Sequence, residues 1–496
     1  MISTATHRRV LIMCVAIFFS YAYFYPAGGW NQNSRFDMVR AMLEQHTLRI
    51  DSYQDNTEDK AISNGHFYSD KAPGLAFLAL PAATATRAAL PIFHVDPASP
   101  VGIVAISYFS SLFAVALPTT LACLCLFWIA LRLGSSEAAG FFAALVFGLA
   151  NPMWAYAVLF WGHALTGACL LFAFAAALKL REANRHDLLL GLAVGLAAGW
   201  ATVSEYPALP ASAIIAVFAL TLTWPQRRWR ALAGLAAGTL ACVAVLMIYQ
   251  KAAFGSAIHP SYAYYQAGAF PWMKRGYMGL TYPRPDVMLK LLFGCRRGLF
   301  FAAPVLAFAP FGLRILWKQP AHHAAAITAA SVAGYYYLFN SSFYVWTAGW
   351  SYGPRYMAAG IPLLCVGLAP IYDFLRDHSR RYWRRTLPVF GVVSFSFALM
   401  AVSTTPQPPD EYRCPIPQLL LPAFVHGNLS INDTTMLTPA EEENLEGNAA
   451  FNLGELAGLN GLASLLPLFA FWIGAFVLWR TLRGQGRNAR SVAAKL

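Results

Sequence analysis

Residues 102–132 read GIVAISYFSSLFAVALPTTLACLCLFWIALR, and the first charged residue in this stretch is Arg132. About 20 consecutive apolar residues are enough to cross the hydrocarbon core of a bilayer as a helix. Similar runs recur through the 496-residue chain, in which 58% of residues are hydrophobic and 12% are charged. Soluble domains carry about 25% charged residues. The sequence therefore predicts an all-α polytopic membrane protein and excludes a soluble globular one.

The apolar runs predict about 12–13 transmembrane helices. These helices form one body over residues 1–480, which is followed by a basic cytoplasmic tail at 481–496. An odd number of crossings would place the termini on opposite sides, so either 73–92 enters the membrane without crossing it or 102–132 holds a second crossing. The predicted spans are 10–26, 73–92, 102–132, 138–159, 163–180, 187–203, 207–223, 231–252, 298–316, 322–339, 357–374, 387–404 and 461–480.

The net charge of +13 is explained by the orientation of the chain in the membrane. Short loops rich in Lys and Arg stay cytoplasmic, and basic clusters lie at the N-terminus, 181–186, 225–230, 376–385 and from Arg480 onward. Because topology explains the positive charge, we expect membrane lipids and no nucleic acid as partners. The segments predicted to lie outside are 27–72, 160–163, 204–206, 254–297, 340–356 and 405–460.

The eight cysteines predict neither a disulfide framework nor a zinc site. Cys414 lies in a polar loop with no obvious partner. Cysteines inside apolar runs behave as small hydrophobes, and these are Cys14, Cys123, Cys125, Cys169, Cys242 and Cys365.

The first outside segment carries the sharpest chemical pattern, NQNSRFDMVRAMLEQHTLRIDSYQDNTEDKAISNGHFYSDKAPG at 31–74. From Ser34 onward the spacing predicts an amphipathic helix in the membrane interface, with Asp37 and Arg40 on its polar face. Ser34 and Asp37 also fit a capping box, in which Asp37 would serve only the helix start. The apolar face holds Phe36, Val39, Met42 and Leu43, and the polar face also holds Asn33 and Glu44.

This segment ends in YSDKAP at 68–73, directly before the next apolar run. Proline there fits the first turn of a helix, so Lys71 lies beside a helix N-terminus, where amides and the helix dipole favour an anion. Lys71 is therefore a candidate phosphate ligand. The alternative is a lysine that extends to the membrane boundary.

These features resemble the GT-C superfamily of integral-membrane glycosyltransferases, and within it the bacterial aminoarabinose and protein-mannosyl transferase-like enzymes. The resemblance rests on the long first outside segment with an acidic helix and on the YSDKAP element. It also rests on FWGH at 160–163, GLFF at 298–301 and GWSYGPRY at 349–356. It covers most of the chain as architecture, and its specific motifs are short.

The resemblance implies an inverting enzyme that takes a sugar from a polyprenyl-phosphate carrier and passes it to a lipid, glycan or protein acceptor. It implies a multi-pass protein of the bacterial cytoplasmic membrane whose active site faces the periplasm. On this basis Asp37 is the predicted catalytic base, with Asp51 and Asp70 in reserve, and Lys71 contacts the donor phosphate. Many relatives carry an adjacent acidic pair in the first loop, and this chain lacks it. We therefore predict no metal ligands, and the sequence leaves undecided whether the enzyme uses a divalent metal ion.

Three arginines elsewhere are further phosphate candidates. Arg296 and Arg297 lie on the predicted outer side, against the positive-inside trend, and an acid such as Asp286 would be an alternative partner for them. Arg355 begins a span, where its alternative role is a boundary anchor. The remaining candidates for substrate contacts are Asn33, Arg40, Tyr68, Asp70, His163, Glu205 and Tyr352.

Two other functions fit the same composition. A transporter or flippase of lipid-linked saccharides would place ionisable residues near mid-span and would often show matching halves, whereas the charges here cluster in outside segments. A polymerase or ligase would use the same carrier with its site in 254–297 or 405–460. The sequence identifies neither the sugar nor the acceptor, nor the oligomeric state.

Overall fold

The computed structural model describes residues 4–182, 185–264, 270–378 and 383–493. Part of the basic cluster at 376–385 and the last residues of the predicted tail lie outside these ranges. Within these ranges there are four short strands, β1 Phe24–Tyr25, β2 Lys60–Ser63, β3 His66–Ser69 and β4 Phe451–Asn452. The helices are α1 Thr4–Ala22, α2 Trp30–Glu44, α3 Gly74–Ala89, α4 Pro100–Ser111, α5 Leu117–Arg132, α6 Glu137–Leu149, α7 Met153–Val158, α8 Gly162–Lys179, α9 Asp187–Ser204, α10 Leu209–Thr223, α11 Trp229–Phe254, α12 Pro285–Phe293, α13 Leu299–Ala302, α14 Ala309–Trp317, α15 His323–Ser342, α16 Ile361–Cys365, α17 Leu368–His378, α18 Trp383–Ser403, α19 Leu421–Val425, α20 Pro439–Glu442, α21 Leu453–Leu456 and α22 Leu466–Ala493.

The all-α multi-span class is confirmed. Within the described ranges, nine helices are long and apolar enough to cross a membrane, or ten if the bent pair Arg355–Cys365 and Leu368–His378 forms one span. The other predicted spans are broken or more polar. Run 138–159 divides into α6 and α7, and run 298–316 divides into α13, a 3-10 turn and α14. Helix α15 is long enough, but tyrosines and an asparagine lower its hydropathy.

The run that opened the sequence analysis forms one helix of 33 residues, Pro100–Arg132. A π-helical turn at Leu112–Ala116 joins α4 to α5 without a reversal. The second crossing considered for 102–132 is therefore wrong. Helix α3 likewise continues through Pro81 and, with the 3-10 turn that follows, reaches Phe93.

Helix α8 lies at the centre of the bundle, where it contacts α5, α9, α10 and α16. Helices α9 and α11 approach each other closely along their glycines. A Cβ atom at Gly191 would lie 2.0 Å from the Ala231 oxygen, and one at Gly195 would lie 2.4 Å from the Leu235 oxygen. Small residues permit this close backbone approach in membrane bundles.

Helix α2 differs from the expected amphipathic helix because both of its faces are buried from Asn31 to Ala41. It begins at Trp30, so Ser34 and Asp37 lie in its interior and the capping-box alternative is wrong. The segment 405–460 covers its polar face. This segment is held there by β4, which pairs with β1 at the end of α1.

A disulfide between Cys295 and Cys414 corrects the prediction that no disulfide is present. It joins 254–297 and 405–460, two of the segments predicted to lie outside. The two cysteines are 119 residues apart in the chain, so no local spacing pattern could have paired them.

Candidate functional site

A cavity of about 560 Å³ lies where the segments predicted to face outside meet. Each of the six predicted outside segments contributes to its wall. Distant parts of the chain therefore meet in this cavity at one end of the bundle. One contributor from each segment, in chain order, is Lys71, His163, Glu205, Tyr262, Arg355 and Asp410.

The wall of this cavity combines ionisable and apolar side chains. The ionisable group comprises Asp59, Asp70, Lys71, His163, Glu205, Arg355 and Asp410. Neutral amides of the wall come from Asn31, Gln32 and Gln407. The apolar part includes Phe270, Trp272, Met273, Met278, Phe339, Phe343 and Trp350. Such a surface can hold an anionic group and an apolar chain in one ligand.

A β-hairpin brings two acids of the first segment to the same point. Asn64 and Gly65 both have positive φ at the turn, and an Asn-Gly pair is the preferred sequence for such tight hairpin turns. Strands β2 and β3 pair with Lys60 opposite Ser69. Asp59 and Asp70 flank this pair, and both therefore reach Lys71.

Lys71 is the centre of a buried ion-pair cluster. Its Nζ lies 2.9 Å from Asp59 Oδ2 and 3.0 Å from Asp70 Oδ1. Burial raises the pKa of Asp70 to about 6, although Lys71 acts in the opposite direction. Burial lowers the pKa of Lys71, but Asp59 and Asp70 outweigh it, so the net pKa is raised and the ammonium stays charged. The cluster thus holds a cation beside a carboxyl group whose pKa is raised by burial.

Arg355 is a second cation of the cavity wall. Its Nε donates to His163 Nε2 at 3.0 Å, and its guanidinium lies over the Trp161 ring, 4.1 Å from the centroid. Among the described residues, no carboxylate forms an ion pair with Arg355. Glu205 is instead paired with Arg35 of α2, Oε1 to Nη2, at 2.7 Å.

Asp37 lies outside the cavity wall and is fully buried in α2. Its Oδ1 accepts a hydrogen bond from Asn56 Nδ2 at 3.2 Å, and its Oδ2 has no partner among the described residues. Burial raises the pKa of Asp37 well above its ordinary value, against the opposing effects of Asn56 and Arg40. This favours a neutral carboxyl group. The role of Asp37 as base stays a prediction.

Arg296 and Arg297 have an anionic partner in the protein itself. Their guanidinium groups lie 2.9 Å and 3.1 Å from Asp410 Oδ1, while the proposed alternative Asp286 pairs with Lys290. Burial lowers the pKa of Arg297 to about 10, with Asp410 opposing this effect. Only Asp410 of this cluster borders the main cavity. Phosphate binding by the two arginines stays a prediction.

The remaining predicted site residues also fall into two groups, those that border the cavity and those that lie away from it. Asp51 of the reserve set pairs with His66 at 2.8 Å, away from the cavity. Arg40 binds both carboxylate oxygens of Glu441, at 2.6 Å and 2.9 Å. Buried positions outside the cavity wall are also occupied by Asn33, Tyr68 and Tyr352. Of the predicted site residues, the cavity brings together Asp70, Lys71, His163, Glu205 and Arg355.

Several cavity residues were not predicted. Asp59 could have been found from the Asn-Gly turn, because pairing the flanking strands places it beside Asp70. Gln407 and Asp410 had no local signal, since they reach the cavity only through the docking of 405–460. Within the described ranges, no three His, Cys, Asp or Glu side chains converge as a metal ion would require.

Fold and cavity together describe a polytopic helical protein, with helices long and apolar enough to cross a membrane and a cavity lined by charged and apolar side chains. Among solved structures, the chain is similar to the oligosaccharyltransferase of Archaeoglobus fulgidus in complex with Zn and sulfate, with a TM-score of 0.50 and 14% identity. That match covers 81% of this chain and 54% of the archaeal one, so this chain spans about half the length of that neighbour. At this identity the likeness concerns the fold.

The chain is also similar to ArnT from Cupriavidus metallidurans in the apo state, with a TM-score of 0.47 and 16% identity over 85% of this chain and 74% of that one. A second structure of ArnT holds undecaprenyl phosphate and matches at a TM-score of 0.47 and 15% identity, over 84% of this chain and 73% of that one. No protein-family model and no curated protein matches the sequence.

Proposed function

We propose that this protein is a glycosyltransferase that takes a sugar from a polyprenyl-phosphate carrier and passes it to an acceptor outside the cytoplasmic membrane. The observation that carries the proposal is a cavity in which Lys71 and Arg355 meet four acids, Asp59, Asp70, Glu205 and Asp410. All of these charges come from segments predicted to lie outside. The GT-C fold is consistent with this chemistry.

The chemistry follows from what a sugar phosphate requires. The phosphate leaves with the bonding electron pair, so cations near it stabilise the charge that develops. Lys71 and Arg355 supply these cations. The incoming hydroxyl must lose its proton, which a nearby carboxylate accepts. Attack from the face opposite the leaving phosphate inverts the anomeric carbon.

We assign the base to the cavity rather than to α2. Asp70 borders the cavity, where Lys71 Nζ lies 3.0 Å from its Oδ1. Its pKa of about 6 leaves it ionised at neutral pH yet more basic than an ordinary aspartate. Asp59 then holds Lys71 from the other side. The competing assignment, Asp37, requires α2 to expose a carboxyl group that is buried under 405–460.

The disulfide supports a periplasmic orientation. Disulfides persist in oxidising compartments such as the bacterial periplasm and are rare in the cytosol. Cys295 and Cys414 belong to two segments that also contribute to the cavity wall. The cavity and the disulfide therefore lie on the same side.

The arrangement favours a transferase over the alternatives. A transporter would need ionisable residues near the middle of its spans, whereas the charges of this cavity lie at helix ends and in the outside segments. A polymerase or ligase site confined to 254–297 or 405–460 would leave Asp59, Asp70 and Lys71 without a role.

The proposal can be tested by binding of undecaprenyl phosphate, the lipid found in one of the similar structures. Quenching of cavity tryptophans in nanodiscs would report on the affinity. We expect saturable binding by the wild type, and at least about tenfold weaker binding by Lys71→Met and Arg355→Met, because each loses a charged hydrogen bond. The exposed Lys290→Met variant is the matched control. Equal binding of the uncharged polyprenol, or an equal loss in Lys290→Met, would contradict the proposal.

A further inference from the structure

The side chain of Arg355 is oriented by two neighbours and keeps one of its nitrogens, Nη2, without a partner in the part of the chain that the structure describes. Its Nε donates to His163 Nε2 at 3.0 Å, and its Nη1 donates to the Ala348 oxygen at 3.2 Å. Its Nη2 has no hydrogen-bond partner among the described residues. Since Arg355 borders the cavity, both N–H groups of Nη2 remain for a ligand.

The contact with His163 determines which ring nitrogen carries the proton. A neutral imidazole has one donor and one acceptor nitrogen. Because Nε2 accepts from Arg355, the proton must be on Nδ1. That nitrogen faces Glu205 Oε1 at 3.6 Å, so the carboxylate favours this tautomer electrostatically.

Glu205 is itself held in place by the first outside segment. Arg35 of α2 is 1% exposed and donates from Nη2 to Glu205 Oε1 at 2.7 Å. The same Arg35 donates from Nη1 to the Ala72 oxygen at 3.1 Å. A Cβ atom at Gly162 would lie 2.4 Å from Glu205 Oε1, so the glycine of FWGH leaves the space that the carboxylate fills.

These contacts form one line of side chains from α2 to the cavity, Arg35 to Glu205 to His163 to Arg355. We infer that Glu205 and His163 are positioning residues, which keep the Nε2 lone pair of His163 available to Arg355 and thereby turn Nη2 of Arg355 toward the donor phosphate. The inference rests on the proposed function for the identity of the ligand. It assigns neither His163 nor Glu205 to proton transfer.

The inference predicts that Glu205 and His163 act only through Arg355. Undecaprenyl phosphate is the probe, and its dissociation constant is measured for Glu205→Gln, His163→Gln and Arg355→Gln, singly and combined. We expect each single variant to bind roughly tenfold more weakly. In the Arg355→Gln background, the other two changes should add less than about twofold, because coupled residues are not additive. The exposed acid Asp286, changed to Asn, is the matched control.

Effects that multiply in the Arg355→Gln background would overturn the inference, as would single variants that bind like the wild type. A ligand-independent readout is the 15N spectrum of His163 in nanodiscs. It should show a proton on Nδ1 in the wild type and a shift toward Nε2 in Glu205→Gln, and an unchanged tautomer would count against Glu205. If the wild type fails to bind the lipid, the proposed function fails and the phosphate role of Arg355 fails with it. The tautomer result then still decides whether Glu205 orients His163.

Discussion

Two acidic regions of the first outside segment have similar composition and different surroundings. In α2, Asp37 and Arg40 lie beneath segment 405–460, and Arg40 is paired with Glu441. At the hairpin, Asp59 and Asp70 hold Lys71 at the wall of a cavity. Both regions combine acids with a buried cation. The difference shows that whether a buried acid borders the cavity depends on what covers it, and the covering segment lies several hundred residues away in the chain.

The largest expected effect separates the two regions by activity. Asp70→Asn should lower transfer by about 10²–10⁴-fold, because it removes the proposed proton acceptor. Asp37→Asn should stay within about threefold of the wild type, since an amide of equal size leaves transition-state contacts unchanged. The measurement is release of polyprenyl phosphate when a membrane extract supplies both the lipid-linked sugars and the acceptor. The reverse ranking would restore Asp37 as the base.

The second prediction concerns stability in the closed region. Arg40→Ala should lower the free energy of unfolding by about 2–3 kcal/mol, because it leaves the partly buried Glu441 without its partner. Thermal unfolding in nanodiscs measures this loss, and Arg49→Ala, at an exposed position of the same segment, is the control. Transfer per folded molecule should be nearly unchanged, since Arg40 does not border the cavity. A selective loss of transfer would place Arg40 in the site.

The pH dependence of transfer should reflect the titration of Asp70, which lies beside the hairpin. Burial raises the pKa of Asp70 to about 6, and the proposed base works only when ionised. The rate should therefore fall as pH drops through about 6, by about tenfold per pH unit below it. Initial rates between pH 5 and 8 test this, with Asp37→Asn expected to retain the midpoint. A rate that stays level across this range would argue against Asp70.

The smallest expected effect is a pH-dependent stabilisation by Asp37→Asn. A carboxyl group whose folded-state pKa is raised contributes most stability at low pH, and this contribution is lost as pH rises toward the folded-state value. Asparagine has no such dependence. The variant should therefore unfold about 2 °C above the wild type at pH 8, with a smaller difference at pH 5. A difference that grows as pH falls would show that Asp37 is stabilised as an anion.

Much of the candidate site could be predicted because it uses local signals. The YSDKAP element placed Lys71 and Asp70 next to a helix start, and the orientation rule placed Arg355 and Glu205 at the outer ends of spans. These residues border the cavity. Asp37 was selected from helical periodicity and the family resemblance, and neither of these reports what covers a helix face.

The sequence by itself determined the membrane class, most of the spans and which segments lie together on one side, because hydropathy and loop charge act over short stretches of chain. Tertiary structure decided which polar residues reach the cavity. It docked 405–460 over α2 and thereby buried Asp37, it joined Cys295 to Cys414, and it brought Asp410 to the cavity wall. Each of these contacts joins residues more than a hundred positions apart. Such contacts depend on how whole helices pack, and a local pattern holds no record of that.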